Sequence, residues 1–373
     1  MRILMISISD VLFDGRAQRA AEALSGGGHQ VELLGFTREA KLTAKYRQKN
    51  PLYRLLRLRL EKLGRLGRMI DRVLFSTWAL LRLLFTSWEV IHLHEPHFLP
   101  VARFAAKLRG TRLVYDVREL YQGRFGRETF EGRVERNWQK SADAIAITSK
   151  ERQDVFFSNF DRGNRPATVV RNLPRLRSAA RRLVNEAGPE NLPRFVYHGR
   201  LSRANRHLEE MLLAFRGLDA WLHIMGADSQ GTLADLKQMV ENEKLGNVSF
   251  HEPCAPEELI AICEGIDGGI MPYRDVDSNT ALANPTKMAE YAGAGMALIG
   301  SDFPLMREAI ASHGVGLITS FDDPDALRSL FTELIDKREN LENMKSGSRA
   351  WYLAECDWEK EARNYLSLYK NLE

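Results

Sequence analysis

A chain of 373 residues, 44% apolar and 27% charged, has ordinary globular composition with apolar material for two cores, which excludes a disordered or fibrous protein. A formal net charge of +4 names no class of partner by itself. Three cysteines, Cys254, Cys263 and Cys356, are odd in number and show no CxxC spacing. They argue against a disulfide framework or a zinc site and fit buried or incidental thiols in a reducing compartment.

Residues 2–8 (RILMISI) read as a β-rich strand rather than a targeting segment, because the apolar run is short and no cleavage site follows. A helix is expected over 16–25, with Ala17, Ala20, Ala21 and Leu24 on one face and Gly26-Gly27-Gly28 ending it. Strands follow at 30–36, 89–94, 112–116, 143–148 and 168–171, with helices at 97–109 and 130–140. The most apolar stretch, Trp78 to Trp88, is interrupted by Arg82 and is too short to span a bilayer. A second series has strands at 194–199, 220–226, 247–252, 268–273, 296–301 and 314–319. Its helices are expected at 207–217, 230–243, 256–264, 286–294 and 325–336. Strand–helix alternation of this kind predicts parallel, doubly wound sheets. The expected organisation is α/β, with one Rossmann-like domain over 1–174 and another over 194–350. The proline-containing, charged stretch 175–193 reads as the linker. Ligands of such folds sit at the C-terminal edges of the strands, so a cleft between the two domains is the expected site.

The segment Asn284 to Gly295 (NPTKMAEYAGAG) lies between two strands. Pro285 suits the first turn of a helix, and Gly293 and Gly295 end it. Free N–H groups near Thr286 would favour a diphosphate, Lys287 adds charge, and Glu290 one turn on suits ribose hydroxyls. The same pattern also fits a plain amphipathic helix with proline in its first turn. In the first half, Asp14-Gly15-Arg16 opens a helix directly after a strand. Asp14 there is a helix cap, a site residue, or both, and Gly15 permits close approach of the backbone. His92, His94, Glu95 and His97 gather at one strand end, where histidines at a sheet edge are candidates for an acceptor pocket.

At this point the chain resembles glycosyltransferase family 4, a retaining family with the GT-B fold of two Rossmann-like domains facing a central cleft. NPTKMAEYAGAGMALIGSDFP is similar to the family's PnK-x-x-E-Y block. VVRNLP (169–174), YHGRLSRANRHLEEMLLAF (197–215), NVSFHEPCAPEEL (247–259) and WEKEARNYLSLY (358–369) resemble further segments in the right order. HLHEPHFLP and YDVRELY resemble two first-domain segments. The resemblance implies that residues 351–373 return to the first domain. It implies that Arg200 and Arg206 grip a donor diphosphate and that Glu290 contacts the ribose. Gly226, Phe250, His251, Pro285, Thr286 and Lys287 would line the donor site. Asp14, Gly15, Arg16, His94, His97 and Arg118 would lie on the acceptor side. The donor implied is a nucleoside-diphosphate sugar, uridine first and guanosine next. No metal or cofactor is expected, since paired cations would do a metal's work.

Four positions depart from the pattern. Leu282 stands where the first glutamate of the family's Glu-x7-Glu pair falls, with Asp275, Asp277 and Asn279 as nearby polar substitutes. Arg118 stands where relatives often carry histidine, His207 replaces a glycine, and Glu252 replaces a glycine. Residues 38–82 hold thirteen cations against three carboxylates, with leucines at 52, 55, 56, 60 and 63 at helical spacings and Trp78 and Phe85 beyond. This basic segment, 38–88, reads as an amphipathic element for an anionic membrane surface, or as a solvated helical insertion. No nucleic-acid module accompanies the charge. The expected protein is a cytoplasmic, retaining glycosyltransferase acting on a saccharide or lipid-linked acceptor in polysaccharide or glycolipid biosynthesis, with peripheral attachment to the inner face of the cytoplasmic membrane expected where residues 38–88 act on lipid. A non-catalytic relative and a nucleotide-sugar epimerase of the same fold are the alternatives.

Overall fold

The computed structural model describes residues 1–37, 50–57, 64–176, 179, 181–228, 231–254, 258–277, 280, 282 and 286–372. It divides into two compact units, one of Met1–Asn172 with Glu359–Glu373 and one of Leu173–Trp358.

The first unit carries a seven-stranded sheet of β1 (Arg2–Asp10), β2 (Gln30–Thr37), β3 (Leu52–Arg57), β4 (Val90–Leu93), β5 (Arg112–Val117), β6 (Ala144–Ile147) and β7 (Ala167–Val169). The order is β3-β2-β1-β4-β5-β6-β7, and every pairing is parallel. Ile3 to Ile6 are fully buried, as the continuous apolar run of a strand covered on both faces requires. Its helices are α1 (Gly15–Gly26), α2 (Gly64–Phe85), α3 (Leu99–Arg109), α4 (Tyr121–Phe125), α5 (Phe130–Trp138) and α6 (Lys150–Asn159). The Asp14 side chain caps α1 by accepting from the Ala17 N–H at 3.0 Å, and Ala17, Ala20, Ala21 and Leu24 form its buried face.

The second unit carries β8 (Arg194–His198), β9 (Trp221–Met225), β10 (Val248–His251), β11 (Gly268–Met271), β12 (Ala297–Ser301) and β13 (Gly316–Thr319), ordered β10-β9-β8-β11-β12-β13 and again parallel. Its helices are α7 (Leu208–Ala214), α8 (Thr232–Asn242), α9 (Leu259–Ile262), α10 (Thr286–Gly293), α11 (Pro304–His313), α12 (Pro324–Asp336) and α13 (Arg338–Glu355). The last helix, α14 (Trp358–Lys370), packs on the first unit, where Glu361 accepts from the Arg171 backbone N–H at 2.8 Å and from its Nε at 3.0 Å.

Two expectations change. Residues 52–57 form an edge strand rather than part of a helix: Tyr53 is buried, Arg54 and Arg57 face solvent, and pairing with β2 outweighs the leucine spacing. The stretch expected to be a linker folds onto the second unit, with Leu183 buried in its core and Ala179 and Val184 packed against it. Residues 38–49 and 58–63 of the basic segment lie outside the described residues. Its described part, α2, turns Asp71, Phe75, Ala79 and Leu83 inward and leaves Leu66, Met69, Ile70, Val73 and Leu74 exposed.

In each sheet the strand order reverses beside the first strand, between β1 and β4 and between β8 and β11. A crevice opens at such a switch point, outside the C-terminal ends of the strands.

Candidate functional site

At the switch point of the first sheet, β1, β4 and β5 deliver a buried charged cluster. Arg16, in the first turn of α1, makes a two-pronged ion pair with Asp116 of β5: Nε to Oδ2 at 2.9 Å and Nη2 to Oδ1 at 2.7 Å. Asp116 Oδ2 also accepts from the Tyr365 hydroxyl of α14 at 2.6 Å. The Arg16 guanidinium, with hydrogen bonds from His92, His94 and Arg16, outweighs burial and holds the Asp116 carboxyl well below the usual range.

His94 Nδ1 lies 3.1 Å from Asp116 Oδ2 and 3.2 Å from Arg118 Nε, so a proton there serves the carboxylate and its absence serves the guanidinium. Burial and the neighbouring Arg118 lower the His94 pKa to about 3, leaving the imidazole neutral at pH 7. Arg118 Nη1 donates to Asp14 Oδ2 at 2.7 Å and stands 3.8 Å from Glu95 Oε1. Ser7 and Ser9 hydroxyls donate to Asp14 at 2.8 and 2.6 Å. Glu95 Oε2 accepts from the Ile8 N–H at 2.9 Å, and burial pushes its carboxyl up to about 7.

Asp14, Arg16, His94 and Arg118 are thus brought together. Gly15 opens α1 between two of them. His97 stands apart, packed on Tyr121 and Phe130 with Glu131 Oε1 at 3.8 Å. Among the described residues, Arg118 Nη2 and His94 Nε2 are buried without a hydrogen-bond partner, which leaves donor and acceptor capacity for a ligand. His92, His94 and Asp116 lie close enough for one cation. However, Asp116 is already spent on Arg16 and Tyr365, and two guanidiniums flank the group. That chemistry suits hydroxyls or an anion rather than a metal ion. Among these groups, sequence reasoning placed Glu95 at this strand end without a role and missed Tyr365 and Tyr369; the latter, from α14, meets His92 Nδ1 at 2.6 Å.

The second sheet builds its cluster from the ends of β8 and β11 and from α10. Glu290 Oε2 lies 3.0 Å from His198 Nε2, and the His198 backbone N–H donates to the Tyr291 hydroxyl at 3.0 Å. Burial lowers the His198 pKa despite Glu290, so a neutral ring donates to that carboxylate. Lys287 Nζ donates to the Tyr273 hydroxyl at 3.3 Å, and the Arg206 guanidinium lies 3.8 Å over the Tyr273 ring. Arg200 is exposed, and its carbonyl accepts from the Tyr197 hydroxyl at 2.6 Å. Among the described residues no carboxylate comes within 4 Å of Arg200, Arg206 or Lys287.

Gly199 has φ +133°, and a Cβ there would meet Lys287 Cε at 2.7 Å and Nζ at 2.8 Å. Gly226 is needed for packing: a Cβ would sit 2.0 Å from the Gly199 carbonyl oxygen. Phe250 and His251 lie on edge strand β10. His251 Nδ1 is 3.0 Å from Glu186 and its Nε2 is 2.9 Å from His223, so this ring is engaged within its own unit. Thr286 opens α10, while Pro285 and Asn279 lie outside the described residues. His207 is buried at the start of α7, facing Glu210 at 3.4 Å, and Asp277 accepts from the Thr280 N–H. Tyr273 carries no signal in the sequence reading, because the residues it touches are far away along the chain.

A cavity of about 450 Å³ lined by Arg103, Arg112, Lys140 and Arg165 opens at the N-terminal edges of β5 and β6, away from both clusters.

Residues 15–172 match the family model described as a glycosyl transferase 4-like domain, and residues 182–351 match glycosyl transferases group 1. No curated protein matches the chain in sequence. Among solved structures, sucrose-phosphate synthase from Thermosynechococcus elongatus is similar over 100% of this chain and 99% of its own, at 16% identity and TM-score 0.72. Anabaena HepE, solved with UDP and glucose, covers 100% of both chains at 14% identity and TM-score 0.70. WaaG, a glycosyltransferase involved in lipopolysaccharide biosynthesis, covers 98% of this chain and 99% of its own at 12% identity and TM-score 0.64. Two parallel-stranded Rossmann-like units, matched in order by both family models, make this chain a glycosyltransferase of the GT4-type, GT-B family.

Proposed function

We propose that the second unit binds a nucleoside-diphosphate sugar, a uridine diphosphate donor first and guanosine next, and that sugar transfer proceeds with retention. The observation that carries this reading is the cation pair Arg206 and Lys287, which meet on Tyr273 at the sheet edge where Arg200 also lies, with no carboxylate among the described residues within 4 Å of any of the three. A departing diphosphate is the anion such a set fits. Glu290, steadied by His198, is placed for ribose hydroxyls, and the cations supply the charge stabilisation a metal otherwise gives. EDTA is therefore expected to leave turnover unchanged. The acceptor, a saccharide or lipid-linked saccharide, falls to the first unit, where Arg118 Nη2 and His94 Nε2 have no hydrogen-bond partner among the described residues. In the retaining reaction the acceptor hydroxyl gives its proton to the leaving phosphate, so no strong protein nucleophile is required.

Calorimetry with uridine, guanosine and adenosine diphosphates tests the donor reading, with Arg206→Ala as control. Tight binding of one nucleotide, lost in the control, supports it; binding of none removes it and favours a non-catalytic relative, which Leu282 would suit. Following the anomeric signal of the product by NMR decides retention.

The exposed apolar row of α2, beside the exposed Arg72, favours a cytoplasmic enzyme docked on an anionic membrane. No helix among the described residues is long and apolar enough to cross one. Flotation with vesicles with and without anionic lipid tests the docking, and binding that ignores lipid charge refutes it.

A further inference from the structure

Tyr273 sits two residues beyond β11, its ring 6.3 Å from that of Phe303 and its carbonyl accepting from the Ser301 hydroxyl at 2.8 Å. The backbone binds it to the neighbouring basic segment. Arg206 and Tyr273 form an antiparallel bridge, the His207 N–H donates to the Pro272 carbonyl at 2.9 Å, and the Arg274 N–H donates to the Asn205 carbonyl at 3.1 Å. The main chain therefore sets where the Arg206 guanidinium meets the ring, at 3.8 Å, while the hydroxyl meets Lys287 Nζ from α10 at 3.3 Å. Arg206 Nε is buried and has no hydrogen-bond partner among the described residues.

We propose that Tyr273 is a positioning residue that holds Arg206 and Lys287 in place for an anionic diphosphate without neutralising either. The proposal rests on the donor reading above. A carboxylate at this place would bind both cations more tightly. It would also occupy their N–H donors and cancel the charge the diphosphate needs. A phenol does neither. Its ring face attracts the guanidinium through the quadrupole without using the N–H groups in the guanidinium plane, of which Nη1 donates to the Asn205 carbonyl at 2.6 Å, and its hydroxyl takes one of the three ammonium protons. Two cations are thus kept near one another, ready for a ligand, at a site where they would otherwise repel.

The test compares wild type with Tyr273→Phe and Tyr273→Leu, using UDP and uridine as probes. Expected is a loss of UDP affinity of roughly three-fold for Phe, which keeps the ring, and roughly ten-fold or more for Leu, which keeps neither contact. Uridine, which has no phosphate, binds all three alike. A general structural role would weaken both probes together, and that result overturns the proposal, as does UDP binding to the Leu variant at wild-type strength. If the Leu variant does not fold, unchanged UDP affinity in the Phe variant overturns it. A ligand-free readout separates this from the donor reading. In the unliganded wild type, the Arg206 Nε–H resonance is displaced upfield by the ring current and returns toward its ordinary position in Tyr273→Leu or, should that variant not fold, in Tyr273→Val. Absence of the displacement in wild type refutes the positioning role even where UDP binds. Its presence without UDP binding supports the positioning and refutes only the donor reading.

Discussion

Replacing Glu95 by glutamine tests the ionisation of the first-unit cluster. The carboxyl is 13% exposed, hydrogen-bonded to the Ile8 N–H at 2.9 Å and 3.8 Å from Arg118. Burial raises its pKa from 4.5 to about 7, although Arg118 works against the rise. A folded-state value above the unfolded one means that the folded chain binds more protons between those two pH values. The stability this confers is present in full below pH 4.5 and is lost as pH rises through 7. At about 1.4 kcal/mol per pH unit the whole effect is about 3 kcal/mol, of which roughly 2.5 kcal/mol falls between pH 5 and pH 8. Glutamine keeps the shape and the amide oxygen but does not titrate. His94 titrates in the opposite sense over part of this window, being held neutral when folded, yet it is present in both proteins and largely cancels in their difference. Urea unfolding of wild type and Glu95→Gln at pH 5 and pH 8 reads the outcome. The variant should gain about 2.5 kcal/mol on wild type over that interval. A difference between the two proteins that is independent of pH would refute a buried, strained carboxylate at this position.

Asp116→Asn should cost about 3–5 kcal/mol, because it leaves the Arg16 guanidinium buried with no counter-charge; denaturant midpoints check this, and a loss under 1 kcal/mol would show the pair to be dispensable. Gly199→Ala should weaken UDP binding roughly ten-fold or more and destabilise by about 1–3 kcal/mol, since φ +133° is strained for alanine and the new methyl displaces Lys287. Calorimetry beside a thermal melt reads both, and unchanged binding would place Lys287 outside the donor site. Glu135, buried and accepting from the Tyr115 hydroxyl at 2.9 Å, also has its carboxyl raised by burial to about 7. Glu135→Gln should therefore gain on wild type with rising pH as Glu95→Gln does, in the same urea experiment.

The strand–helix alternation and the apolar cores of β1, β4, β5, β8, β11 and β12 were legible in the sequence, because short apolar runs bounded by polar or turn residues are local signals. Asp14 as a cap was legible for the same reason: it acts on an N–H three residues away. The helices at 150–159 and 338–355 were not, since few of their residues are buried and the apolar period is faint. Leu52 to Arg57 misled because leucine spacing is a weak prior that one parallel partner strand reverses.

The sequence by itself determined the two α/β units, the family, and the residue types available at each strand end. Only the tertiary structure decided which of them meet. Arg16 finds Asp116 across 100 residues, Tyr365 finds Asp116 across 249, and Tyr273 gathers Arg206 and Lys287 from opposite directions along the chain. Local patterning reports how a segment covers its own apolar face. Which strand lies beside which, and hence which side chains share a switch point, follows from the order of strands in the finished sheets, and no short stretch of sequence carries that order.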